Sequence, residues 1–267
     1  MSKIDRLSAL MARFELSVVH SDIEHANLLI LGQSASDIPR SILLSVNHRA
    51  MDYVSSDMAV LFGARMSWGG TDNPLLSALP DVVERPVNEG TDIGLLAELF
   101  LVEQKANRCG SASVLNRLGE ILTVNVLRYQ LKYGETETGL LAGLADQRLG
   151  KTIVAIHDNP SRNWCIELLS AEAGLSPSRF AELFRQQVGM PPLAYLRRWR
   201  LTLAKQDIER GERVQRVASK YCYNSTEALS RAFSKAFGYS PIHARKAALA
   251  NMVSEEATLP ALRSART

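Results

Sequence analysis

The sequence predicts an α+β chain: a small β domain with a helical hairpin, then an all-α domain built from two copies of a helix-turn-helix unit. Three observations carry this prediction. Short apolar runs suited to buried strands cluster in the front half. The back half repeats itself at a fixed offset. Charge also divides between the halves: residues 1–150 hold 13 Lys and Arg against 18 Asp and Glu, and residues 151–267 hold 18 against 10, so the net charge moves from −5 to +8. An acidic front and a basic back are expected when one end of a chain faces an anionic polymer.

At 267 residues the chain has room for about two domains, and 46% hydrophobic with 22% charged residues is a globular composition. Its three cysteines, Cys109, Cys165 and Cys222, are widely spaced and form no CxxC pair. That pattern points to reduced thiols and away from a disulfide framework or a zinc site. The opening MSKIDRLSALMARFEL has an amphipathic helical pattern, with charges throughout and no signal-peptide core. No stretch approaches the roughly 18 apolar residues of a membrane span. The expectation is a cytoplasmic protein with no membrane partner. No GxSxG, HExxH, P-loop or Rossmann glycine pattern is present, so the chain is not expected to be an enzyme or to need a cofactor.

In the front half, Leu28–Leu31, Ile42–Val46 and Met58–Phe62 read as buried strands. Asn73 to Pro80 reads as a short helix bounded by prolines. Leu95, Leu96, Leu99 and Val102 mark one longer helix, and Leu115, Leu118, Leu122, Val126 and Tyr129 mark a second, with Gly110-Ser111 as turn and cap. The hairpin's apolar stripe either closes the domain core or pairs with another subunit. His20, His25 and His48 lie apart, without the spacing of a metal site. Residues 134–150, which mix Gly, acidic residues and Leu, read as a linker, and residues 251–267 as a tail.

The repeat lies between them. Phe184, Gly189 and Pro192 recur as Phe233, Gly238 and Pro241, each 49 residues on, and Phe180 recurs as Leu229. Ser170 pairs with Ala218, so the second copy has one extra residue in its turn. A repeat of this size is a duplicated supersecondary unit. In the first copy Trp164, Leu168, Ala171 and Leu175 form a helical stripe. Gly174 supplies the turn, Ser176-Pro177 starts the next helix, and Phe180, Leu183, Phe184 and Val188 form its inner face. In the second copy Val214, Val217, Ala218 and Tyr221 form the stripe. Asn224 with Glu227 resembles a capping box, Leu229, Ala232, Phe233 and Phe237 face inward, and Ser240-Pro241 starts a last short helix. The small Ser170 and Ala218 let two helices cross closely. Between the copies, Pro192 to Arg210 reads as one helix about 28 Å long. Leu196, Trp199 and Leu203 form its apolar face, and Arg197, Arg198, Arg200 and Lys205 occupy other faces. Such a strut, with its flanking helices, is of the right order for two heads in one groove a turn apart, about 34 Å.

Two such units side by side suit double-stranded DNA. Readout would fall on the solvent face of each second helix near its N-terminus. The first copy offers Ser178, Arg179, Ala181, Glu182 and Arg185 there, and the second offers Thr226, Glu227, Ser230, Arg231 and Lys235. Arg231 is the strongest candidate for base contact, because a guanidinium can bond guanine O6 and N7 together. Ser225 and Lys235 suit phosphates. Each has a plainer reading: Glu227 as a cap, Glu182 as an intrahelical partner of Arg179 or Arg185, and Ser178 as a helix-start residue.

The segment resembles the DNA-binding domain of AraC/XylS-type regulators. The resemblance lies in Leu169-Ser170, Gly174-Leu175-Ser176, Phe180, Phe184, Gly189 to Pro192, Tyr195-Leu196, Arg200-Leu201, Ala204, Val217-Ala218, Tyr223, Ser225, Arg231 to Phe233, Phe237 to Pro241 and Arg245. It departs at Ser170, where the family has alanine, and at Cys222, where the second turn has glycine. The resemblance implies Ser178, Ala181 and Glu182 toward bases, and Arg179 and Arg185 toward phosphates. Asn73 through Leu131 resembles, on fewer residues, the end of the cupin-like sensor domain of one branch of that family. The front half is short for a barrel of about 8 or more strands, so a shortened or degenerate cupin is expected.

The domains expected are 1–133 for effector sensing or dimerisation, 134–150 as linker, 151–250 for DNA, and 251–267 as tail. The function expected is a sequence-specific DNA-binding transcription regulator, with a homodimer, a small-molecule effector and, for an activator, RNA polymerase as further partners. The alternative is an effector-independent regulator whose front domain only dimerises.

Overall fold

The computed structural model describes residues 7, 11, 14, 16–33, 38–46, 49–69, 73–106, 108–134 and 138–258, with side chains to residue 250. Most of the N-terminal helical pattern, His48, residues 135–137 of the expected linker and the last nine residues of the expected tail lie outside them. The chain forms two units: residues 1–150 with 187–189, and residues 151–186 with 190–267.

The first unit is built on five antiparallel strands: β1 (Leu16–His20), β2 (Leu28–Gln33), β3 (Pro39–Ser45), β4 (Met58–Trp68) and β5 (Val82–Pro86). Their order in the sheet is β1-β4-β2-β3-β5. The three predicted strand runs are β2, β3 and the start of β4. In the central strand every residue from Leu28 to Leu31 is buried, because both faces of the sheet are covered. Leu29, Leu31 and Leu43 meet Ala26 and Ala50 on one face, with Val60 and Val82 beside them. On the register of the other face, Ile30 lies opposite Ile42 and Phe62. The five strands among the described residues fit the shortened cupin-like sheet expected. The expected short helix after Asn73 is a single 3-10 turn, Leu76–Ala78.

Two helices follow, α1 (Asp92–Ala106) and α2 (Ser111–Tyr133), joined through Gly110 at φ 83°, a left-handed conformation that glycine adopts at low cost. α2 buries Leu118, Leu122 and Val126, as its pattern predicts, and packs on the edge strand β1. The Asn116 side chain accepts the Val18 backbone N–H at 2.7 Å and so satisfies an edge donor. A Cβ on Gly119 would lie 2.5 Å from Val18 Cγ1, which shows how closely helix and strand approach.

Of the two roles expected for the hairpin's stripe, the α1 part does not close the core. Leu95, Leu99 and Val102 are 59%, 49% and 56% exposed, whereas Ile93, Ala97, Phe100 and Leu101 are buried. α1 is apolar on two faces, and periodicity alone does not say which meets the sheet. Phe100 does, packing edge-on to Phe62 with centroids 4.5 Å apart. The expected linker carries a helix, α3 (Leu140–Ala145), in which Leu140 to Leu144 are all buried.

The second unit comprises α4 (Gln147–Asp158), α5 (Ile166–Ala173), α6 (Pro177–Val188), α7 (Pro192–Glu209), α8 (Val214–Lys220), α9 (Thr226–Phe237) and α10 (Pro241–Thr258). α7 is the strut predicted between the copies. It buries Tyr195, Leu196, Trp199, Leu201, Leu203, Ala204 and Ile208, so it is covered on more than one face. α10, expected to be short, runs for 18 residues.

Gly119→Ala tests the helix–sheet contact. Val18 is β-branched and stiff, so the added methyl should cost about 1–3 kcal/mol. Urea unfolding would measure it; an unchanged midpoint would show that α2 does not rest on β1 at this point.

Candidate nucleic-acid interface

In the first head, α5 ends at Gly174 (φ 66°), whose N–H bonds Ala171 O, and the Leu175 N–H bonds Ser170 O at 3.0 Å. These bonds satisfy the last carbonyls of the helix. Ser176 then caps α6, its hydroxyl accepting the Arg179 N–H at 3.4 Å. Phe180, Leu183 and Phe184 face inward. The stripe predicted for α5 is out of register: Trp164 precedes the helix, Leu168 and Ala171 are exposed, and Leu169, Ser170 and Ala173 are buried. The helix begins only at Ile166, so a pattern counted from Trp164 selects the wrong face. Ser170 fills the small-residue position at the crossing, and its hydroxyl donates to Glu167 O at 2.9 Å.

The second head repeats the design with changes. Val217 and Ala218 are buried on α8, and Tyr223 N–H bonds Ala218 O at 2.9 Å. Cys222 takes the turn position at φ 61°. A left-handed non-glycine residue costs on the order of 1–3 kcal/mol, so other contacts must hold it there. The cap of α9 is Ser225 rather than Asn224: its Oγ accepts the Ala228 N–H at 3.1 Å. The extra residue in this turn moves the cap by one position.

Both heads lean on α7. Phe184 packs edge-on to Tyr195 at 5.7 Å. Tyr195 OH meets His157 Nε2 at 2.6 Å, and the His157 ring lies 4.2 Å from Trp199. Burial pushes the Tyr195 phenol well above its ordinary range, so it stays neutral and able to hydrogen-bond. On the second head's side, Asp207 accepts from Lys220 Nζ at 2.7 Å and from Tyr221 OH at 2.8 Å.

The outer faces carry the predicted candidates. On α6, Ser178, Arg179, Glu182 and Arg185 are exposed and Ala181 is half-buried. Arg179 and Glu182 are paired at 2.7 Å, the intrahelical arrangement allowed for Glu182. Around α9, Ser225, Glu227, Arg231 and Lys235 are exposed, and Thr226 and Ser230 half-buried. Glu227 belongs to the helix start. Hydrogen bonds from the Ser225 hydroxyl, its own backbone N–H and the Thr226 hydroxyl hold its carboxyl below the usual glutamate range, with a smaller effect from the Arg231 charge. An anion in the first turn also suits the helix dipole. Ser225 is likewise engaged as the cap.

Two features escaped the sequence reading. Arg210, Arg213 and Arg216 line one open recess where α7 turns into α8, with Arg216 3.6 Å from Glu212. Their spacing of three residues was the available signal. Conversely, Arg200 on α7 does not face solvent freely: its Nε donates to Pro160 O at 2.8 Å and its Nη2 to Arg162 O at 2.7 Å. Among the described residues no group of three or more His, Cys, Asp or Glu is placed to hold a metal ion, and no helix is long and apolar enough to cross a membrane.

Residues 169–247 match a family model described as a helix-turn-helix domain, and residues 29–132 one described as a cupin. A putative AraC-like transcription regulator of Streptomyces lividans is 33% identical over 195 residues, 71% of this chain and 64% of that one. The HTH-type transcriptional regulator AlkR of Acinetobacter baylyi is 31% identical over 201 residues, 72% of this chain and 65% of its own. The chain therefore spans just under two thirds of the length of these relatives. The solved DNA-binding domain of AdpA, a global transcriptional factor in complex with a target DNA, is 27% identical over 40% of this chain and 96% of that one, with a TM-score of 0.38.

Proposed function

We propose that this protein is a regulator of the AraC type, which binds duplex DNA sequence-specifically and regulates transcription. The observation that carries the reading is the pair of equivalent capped helices, α6 and α9, set against one buried helix, α7, with small polar and basic residues outermost. Each would enter the major groove in successive turns. The DNA-binding part is residues 151–250, the front part residues 1–133, with 134–150 between them and 251–267 as a tail.

Within this reading the side chains divide by what they can reach. Arg231, exposed on the first turns of α9, reads a base. Ser178, Ala181, Ser230 and Thr226 offer close contacts. Arg179, Arg185 and Lys235 neutralise phosphates, joined by the arginines at the α7–α8 turn. Glu182 and Glu227, engaged with Arg179 and with the start of α9, are assigned first to holding the helices. Ser225 adds a phosphate contact from the cap position.

Arg231→Ala should cost about 1–3 kcal/mol on the duplex that the protein selects from a random library, and relax preference at one base pair. Arg185→Gln should weaken all sequences alike and reduce the salt slope by about 1. Gel shifts over all four bases at each position, repeated across salt, measure both. Unchanged preference with Arg231→Ala, or an unchanged slope with Arg185→Gln, contradicts the assignment concerned.

The front domain dimerises, and the exposed stripe on α1 supports that role. Leu95, Leu99, Val102 and Ala106 follow the alternating three- and four-residue steps of a coiled-coil seam. In an antiparallel pair, Leu99 would lie against Val102 of a second copy and Leu95 against Ala106. The same alignment brings Glu98 near Lys105, opposite charges that favour this pairing. Leu99→Glu should convert a dimer to a monomer in sedimentation equilibrium; a variant that stays dimeric rules this surface out.

A further inference from the structure

We infer that Cys222 and Arg200, by gripping the loop formed by residues 159–162, fix the second head relative to the first and so set the spacing between the two DNA elements the protein reads. This rests on the DNA-binding function proposed above.

The loop leads into the first head, and its four successive carbonyls are each held. Asn159 O accepts from Trp164 Nε1 at 2.9 Å. Pro160 O accepts from Arg200 Nε at 2.8 Å. Ser161 O accepts from the Cys222 thiol at 3.1 Å. Arg162 O accepts from Arg200 Nη2 at 2.7 Å and from the Trp164 N–H at 2.8 Å. The loop is also fastened to its own head: the Arg162 guanidinium lies over the Trp164 ring at 4.2 Å and reaches Glu172 of α5 at 3.6 Å. Three elements therefore meet on four carbonyls: the entry to the first head, the middle of the shared helix, and the turn of the second head.

The residue at the second turn makes sense in this light. The corresponding turn of the first head uses Gly174 at φ 66°, and Cys222 adopts nearly the same angle, 61°, where an L side chain is disfavoured. Glycine would relax the backbone there but has no donor to offer. A thiol is a weak donor, yet it spans to the other head, and Arg200 adds two stronger, charge-assisted bonds to the carbonyls on either side. The tie is positional: neither residue needs to touch DNA.

The test uses the full chain and the duplex that wild type selects from a random library, with one base pair inserted between the two protected elements. That insertion rotates one element by about 35° relative to the other. Wild type should lose about tenfold or more in affinity. Cys222→Gly should bind the uninserted duplex less tightly and show a penalty for the insertion several-fold smaller, while its urea midpoint is no lower than wild type because the strained turn is relaxed. Cys222→Ser, which keeps a donor, should retain most of the discrimination, and Arg200→Gln should lose it. If Cys222→Gly and Arg200→Gln keep the wild-type spacing penalty, whatever their stability, the inference is overturned and the DNA-binding function stands. If wild type selects no duplex at all, both fall.

Discussion

The burial of α7 on several faces is the constraint from which the back half follows. Tyr195, Leu196 and Trp199 serve the first head, and Leu203, Ala204 and Ile208 continue the same buried surface toward the second. A short helix-turn-helix unit encloses little apolar surface by itself, so each copy borrows a wall. One helix supplies both walls, and that makes the two heads parts of one body. The polar groups inside it are placed accordingly. His157 Nε2 and the Tyr195 hydroxyl share a hydrogen bond, and Asp207 anchors both Lys220 and Tyr221 at the far end of the helix.

Electrostatics divides along the same line. Part of the positive charge in excess after Lys151 lies on α6, α9 and the α7–α8 turn, and α7 itself carries Arg197, Arg198, Arg200 and Lys205. Long-range attraction to a polyanion needs only the sum of these charges, whereas base reading needs a few side chains held at the right height. The capped helix starts provide that height. Ser176 and Ser225 fix where α6 and α9 begin, and with them which residues lie outermost. The front unit is organised differently: a shortened sheet is covered by α2, and α1 presents its second apolar face outward.

The elements set by local chemistry were legible in the sequence. Glycine turns, Ser-Pro helix starts and the 49-residue repeat placed both heads, because caps and turns depend on a few adjacent residues. Strand runs such as Leu28–Leu31 were legible because both sides of β2 are covered. What failed needed a neighbour to decide it. The register of α5 depends on where the helix starts after Trp164. The outward face of α1 depends on Phe100 finding Phe62. Leu140 to Leu144 read as linker because their burial comes from elsewhere in the chain. Arg200 looked like any surface arginine until three carbonyls of a distant loop came within reach of it and Cys222. At the candidate site the exposed faces were legible, but the engagement of Ser225 and Glu227 at the helix start depends on a cap shifted by one residue.

On the reading proposed here, α6 and α9 form one two-headed reader mounted on α7. Hydroxyl-radical footprinting of the full chain on its selected duplex tests it most directly. Two protected stretches are expected on one face of the DNA, about 10 base pairs apart, lost together when α7 is disrupted. A single protected stretch, or two whose separation varies freely between selected sites, would contradict it.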